Sequence, residues 1–178
     1  LRVLIPEERL RARVRALGRR IRRDYRDREP VLVGVLQGSF VFMADLVRAI
    51  DLPLRCDFLR VSSYGASAAS SGRVRLVFDA EGSLRGKDVL LVEDIVDTGF
   101  TARRVLGMLR AARPRSLRLC VLLDKPDRRR IPVQIDYLGF RIPDRFVVGY
   151  GLDLGGLYRN LPYLAALDGA GSWVEFNR

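Results

Sequence analysis

The chain has 178 residues, 48% hydrophobic and 30% charged, which is enough for one compact core and too ordered a composition for a disordered chain. No apolar stretch approaches the roughly 18 residues of a membrane-spanning helix. Histidine is absent and the two cysteines lie far apart, which excludes histidine catalysis, histidine-bound metals and CxxC chemistry.

The net charge is +11, yet only two of the 32 basic residues are lysines, Lys87 and Lys125. That bias reads as arginine replacing lysine over the surface rather than as a nucleic-acid footprint, so no nucleic-acid partner is expected. The Arg-rich start shows no apolar leader core, and an opening Leu1 in place of Met points to a trimmed start. Residues 7–25 predict an amphipathic helix, with Leu10, Val14, Leu17 and Ile21 at helical spacing. VLVGVL (31–36) is a short β-branched run that suits a buried parallel strand. FVFMADLVRAI (40–50) returns to helical spacing, and LRCDFLRVSS (54–63) reads as a strand with mixed faces. SYGASAASSG (63–72) has little to bury and predicts a surface loop.

RVRLVF (73–78) alternates like a half-exposed strand, and DVLLVEDI (88–95) is a strand ending in acids. TARRVLGMLRAARP (101–114) is a helix closed by Pro114, and SLRLCVLLDK (116–125) is another buried strand. DYLGF and RFVVGY are short strand-like pieces ahead of a loop-rich tail. Cys56 and Cys120, both set in strands, predict two buried, reduced thiols and a cytoplasmic protein. Strands alternating with helices predict an α/β fold with a mainly parallel sheet, in which ligands bind beyond the carboxyl ends of the strands. With no repeat or linker visible, residues 1–178 read as a single domain.

The strongest chemical signal is VLLVEDIVDTGFTA (89–102). Glu93 and Asp94 end an apolar strand, where two carboxylates can accept hydrogen bonds from vicinal hydroxyls such as those of a ribose. The turn that follows offers backbone N–H groups from Asp97 through Thr101 and a helix N-terminus, the ingredients of a monophosphate cradle. Gly99 lets the backbone approach closely. A plain strand, turn and capped helix would explain Asp97 or Thr98 but not the acidic pair. Lys125, at the end of the next strand, should reach the same crevice. A faint Walker A likeness in GSLRGKD (82–88) is rejected, because it is one residue short and precedes a strand.

The segment resembles the phosphoribosyl-diphosphate (PRPP) signature of type I phosphoribosyltransferases. LQGSFVFMADL, SSYG, VEDIVDTG, LLDKP and FVVGYGLD…YRNLPY, in that order, make the wider chain similar to the bacterial hypoxanthine (hypoxanthine-guanine) phosphoribosyltransferases. The resemblance implies a Rossmann-like core with a mainly parallel twisted sheet flanked by helices, over about 27–140. It also implies a small hood from about 1–10 and 141–178. The implied reaction is transfer of a phosphoribosyl group from PRPP to N9 of a 6-oxopurine, with Mg²⁺ as cofactor and a homodimer or homotetramer as the assembly.

Carried over residue by residue, Glu93 and Asp94 would hold the ribose hydroxyls, and Asp97, Thr98, Gly99, Phe100 and Thr101 the 5′-phosphate. Asp97 would also serve as general acid/base near purine N7, with Lys125 donating to O6. Gln37 and Gly38 lie in the pyrophosphate loop, where many members carry a cation in place of Gln37, and Arg159 would clamp the pyrophosphate. Phe146 would stack on the purine and the Val147 main chain would read its edge. Asp153 would lie near the purine and bind Mg²⁺, with Glu93 and Asp94 as the other metal-side acids, and Ser63 and Tyr64 would open a lid loop. The rivals are an RNA-binding regulator on the same fold and a transferase for another base such as xanthine.

Overall fold

The computed structural model describes residues 1–61, 74–75 and 84–167. In chain order these form β1 (Arg2–Ile5), α1 (Glu7–Asp24), β2 (Val31–Leu36), α2 (Phe40–Ile50), β3 (Arg55–Val61) and β4 (Val74–Arg75). Then come β5 (Asp88–Val96), α3 (Phe100–Ala111), β6 (Ser116–Asp124), a one-turn 3-10 helix (Pro126–Arg128), β7 (Tyr137–Arg141), β8 (Val147–Val148) and β9 (Leu164–Ala166). The main sheet has the order β4-β3-β2-β5-β6-β7, with only the edge strand β4 antiparallel.

The central strands read as unbroken apolar runs because both of their faces are covered. Alternate side chains divide between two cores. Leu32, Leu90, Val92 and Leu122 pack under α1 and α2, while Val31, Val33, Val89, Leu91 and Val121 pack under α3. α1 and α2 touch closely at Gly18, where an added Cβ would lie 2.3 Å from the Ala49 carbonyl oxygen. From β2 the chain moves outward to β3 on one side, then crosses back to β5, β6 and β7 on the other. Strand order therefore reverses between β2 and β5, and a crevice opens beyond their carboxyl ends.

A second sheet, β1-β9-β8, joins the start of the chain to its far end by antiparallel pairing. β1 and β9 were not anticipated from sequence, because segments of four and three residues carry too little alternation to register. Cys120 is buried as expected, but Cys56 is exposed. The expectation of two buried thiols fails because β4 pairs only with Arg60 and Val61, which leaves the early part of β3 on an open sheet edge among the described residues. Ser63 and Tyr64, with the rest of the predicted loop, lie outside the described residues, as does most of the strand predicted at 73–78. Among the described residues no helix is long and apolar enough to cross a membrane.

Candidate active site

The crevice between β2 and β5 holds a cavity of about 270 Å³, lined by Gly38 on one side and by Glu93, Asp94, Asp97, Thr98 and Thr101 on the other. Glu93 and Asp94 both reach it although they are neighbours on a strand. Glu93 is buried, and its Oε1 has no hydrogen-bond partner. Burial, reinforced by the nearby Asp94 charge, pushes its carboxyl well above the usual range. Burial also pushes Asp94 up to about 6, opposed by the Ile95 N–H, which donates to Oδ1 at 2.9 Å. Two carboxyls with unused acceptor capacity, held in a shielded cleft, suit a ligand that brings hydroxyl donors.

Gly38 is required by the close approach of the two loops. A Cβ on it would lie 1.6 Å from Asp94 Oδ2. Gly99 has φ 92°, and a Cβ there would meet the Ile131 carbonyl oxygen at 2.6 Å. α3 starts immediately after Gly99 with no side-chain cap. The capping role open to Asp97 or Thr98 in sequence is therefore not taken, and the first-turn amides remain available to an anion. The turn is braced from behind, since the Arg130 and Ile131 N–H groups both donate to the Thr98 carbonyl, at 3.0 and 3.1 Å. Phe100 is exposed at the helix start.

Beside the turn after β2, Arg159 donates to the Gly151 carbonyl at 2.6 Å and ion-pairs with Asp153 at 2.7 Å. It also makes a long hydrogen bond of 3.5 Å to Gln37 Oε1. Gln37 thus accepts from a cation where many relatives of the predicted family would carry one. Asp153 Oδ2 in turn accepts from the Gly156 N–H at 2.7 Å. Among the described residues no three acidic or cysteine side chains converge into a metal-ligand set of protein atoms alone.

Lys125 is buried just past β6, its main-chain N–H bonded to the Val96 carbonyl at 3.0 Å. Its Nζ lies 3.7 Å from Asp144 Oδ1. Val147 is buried in β8, and Phe146 beside it remains partly exposed. Sequence reasoning missed Arg128 and Asp144. Arg128 Nε donates to Asp97 Oδ1 at 2.8 Å, and its Nη1 lies 3.4 Å from Asp144 Oδ2. It also missed Arg129, which donates to the Val96 and Asp97 carbonyls and pairs with Asp124. In a chain this rich in arginine no compositional signal marks either one. Their only cue is position, directly after LLDKP.

The family model for the phosphoribosyl transferase domain matches residues 6–154. A hypoxanthine phosphoribosyltransferase of Salmonella typhimurium is 49% identical over 164 residues, covering 91% of this chain and 92% of that protein. A hypoxanthine-guanine phosphoribosyltransferase of Bacillus subtilis is 45% identical, covering 93% and 92%. Among solved structures, a hypoxanthine-guanine phosphoribosyltransferase of Bacillus anthracis with HEPES in its active site superposes with a TM-score of 0.87 at 43% identity, covering 94% of this chain and 99% of that one. The chain that builds this crevice thus matches the group at 43% to 49% identity over more than nine-tenths of its length, and it belongs to the hypoxanthine phosphoribosyltransferases of the phosphoribosyl transferase family.

Proposed function

We propose that the protein transfers the 5-phosphoribosyl group of PRPP to N9 of hypoxanthine or guanine, releasing pyrophosphate and forming the purine nucleoside monophosphate. The observation that carries this reading is the shared cavity of Glu93, Asp94 and the uncapped start of α3, with Lys125 buried at the end of the adjacent strand. The names of the relatives support the same substrates.

In this mechanism Glu93 and Asp94 accept hydrogen bonds from the ribose hydroxyls, and the Asp97–Thr101 amides and hydroxyls cradle the 5′-phosphate. The bond from C1′ to the pyrophosphate oxygen breaks as N9 bonds to C1′, leaving positive charge on the ribose in the transition state. Arg159 and the Gln37–Gly38 main chain receive the negative charge that grows on the leaving group. The purine proton passes to Asp97. Phe146 covers the purine face, the Val147 main chain meets its edge, and Lys125 donates to O6. Asp153 lies on the side where pyrophosphate meets purine.

The acids suit Mg²⁺, a hard cation that takes one or two carboxylates and fills its other positions with substrate oxygens and water. The unpartnered Glu93 Oε1 fits such an ion or a ribose hydroxyl. One or two of Glu93, Asp94 and Asp153 would hold it together with substrate oxygens and water, and it would neutralise charge on the pyrophosphate. Two cysteines outside any disulfide suit a cytoplasmic enzyme. On the same reading the working form is a homodimer or homotetramer, a count that light scattering gives.

The test is a substrate panel with PRPP and Mg²⁺, read by nucleotide formation. Hypoxanthine and guanine should turn over. Adenine presents an amino group to the Lys125 donor, a mispairing that costs about 1–3 kcal/mol, so it should react about 5- to 160-fold more slowly. Turnover of adenine at the hypoxanthine rate, or no turnover of any purine, overturns the proposal.

A further inference from the structure

Four charged side chains form an alternating chain along the purine side of the crevice. Asp97 Oδ1 accepts from Arg128 Nε at 2.8 Å, Arg128 Nη1 lies 3.4 Å from Asp144 Oδ2, and Asp144 Oδ1 lies 3.7 Å from Lys125 Nζ. The residues come from three separate segments: the turn after β5, the 3-10 helix after β6 and the loop before β8. The side chains of Arg128, Asp97 and Asp144 are 46%, 38% and 49% exposed, and ion pairs this open to water add little to folding stability. A stabilising role therefore leaves the convergence of these segments on one guanidinium unexplained.

Two features give the arrangement direction. First, Arg128 ends the short helix that Lys125 caps, and its N–H donates to the Lys125 carbonyl at 3.2 Å, so the two cations share one rigid turn. Second, the neighbouring Arg129 bonds the Asp97 carbonyl at 3.0 Å. Adjacent arginines thus hold the main chain and the carboxylate of the same aspartate. A guanidinium is needed for this, because it serves two carboxylates from different edges of one plane, whereas an ammonium is a single point charge.

We propose that Arg128 is a positioning residue for the transfer reaction. It holds one oxygen of the Asp97 carboxylate, leaves the other turned to the purine, and ties Asp97 through Asp144 to Lys125. The acid/base group and the lysine that meets O6 are thereby set at a fixed spacing, matched to the two ends of a 6-oxopurine. This inference rests on the roles given to Asp97 and Lys125 under the proposed function.

The test is steady-state kinetics of wild type, Arg128→Ala, Arg128→Lys, Asp144→Asn and the double variant, with hypoxanthine and PRPP varied in turn. Arg128→Ala should lower kcat by on the order of tenfold while PRPP KM stays within about twofold, since Arg128 holds the Asp97 carboxylate and not the amides of the phosphate turn. Arg128→Lys should recover less than half of the loss. Asp144→Asn should raise hypoxanthine KM several-fold and lower kcat less than Arg128→Ala does. The double variant should match Arg128→Ala in kcat, because both act on one chain of contacts.

Three results overturn the inference: a kcat for Arg128→Ala within twofold of wild type, full rescue by Arg128→Lys, or a PRPP KM that rises as far as kcat falls. The last would mean that the phosphate turn itself had lost its shape. Wild-type turnover is read in the same assay. Its absence brings down the proposed function and this inference together, whereas a competent wild type beside an unaffected Arg128→Ala overturns the inference alone.

Discussion

At the floor of the crevice Asp94 is half-buried, and its carboxyl is raised from the ordinary 3.8 to about 6, chiefly by burial. A carboxyl raised by folding takes up protons more readily in the native state. Its contribution to stability is therefore full below about pH 4 and is lost as the pH rises through 6. At pH 8 the ionised Asp94 is a cost borne by the fold. Asp94→Asn should raise the unfolding free energy by about 1–3 kcal/mol at pH 8 and by close to nothing at pH 4, while weakening PRPP binding. Urea titrations at the two pH values check this, and an equal gain at both would show that charge is not the cause. Glu93, shifted in the same direction, bears the same kind of cost. The acidic pair was legible in sequence because charge at the end of an apolar strand has no packing rationale. Arg128 and Asp144 were not legible. One arginine of 30 and an aspartate in an IPDR turn mean nothing until the fold brings them together.

Among the elements, the contact between α1 and α2 depends on Gly18, buried in the middle of α1 against the Ala49 carbonyl oxygen. A side chain there must push the helices apart, and overpacking of this kind costs about 1–3 kcal/mol. Gly18→Val should therefore lower the denaturation midpoint clearly while leaving PRPP KM little changed, because the crevice is built by β2, β5 and α3. A Gly18→Val protein with wild-type stability in thermal unfolding would show that the helices re-seat at no cost. The sequence pattern predicts β2, α1 and α2 to within a residue because each helix carries one uninterrupted periodicity against one core and β2 is an unbroken apolar run covered on both faces. β1 and β9 escaped notice because their pairing partners are at opposite ends of the chain, and local pattern has no access to such contacts.

For the whole molecule, a charge of +11 surrounds a site that takes a polyanion. Long-range attraction raises the encounter rate with charged ligands and is screened by salt, over a Debye length of about 10 Å at 0.1 M. The kcat/KM for PRPP should therefore fall several-fold between about 0.05 M and about 0.5 M salt, while that for the uncharged purine changes little. Equal sensitivity of the two would locate the salt effect in the catalytic step and not in capture. The fold class followed from the chain, and the strand-order reversal that creates the crevice is a property of parallel sheets with helices on both faces. The edge position of early β3 was not deducible, because it depends on how little of β4 pairs with it.

That open edge has a practical result. Cys56 is the solvent-reached thiol of the two, and it lies in the amino-terminal half of β3, at the opposite end of the sheet from the crevice. Its thiol is pushed up by its surroundings, so coupling to a maleimide calls for mildly alkaline buffer. A dye or a tether attached there would mark each molecule once. It would also fasten the enzyme to a surface with its working end turned outward, ready for single-molecule recording without any engineered cysteine.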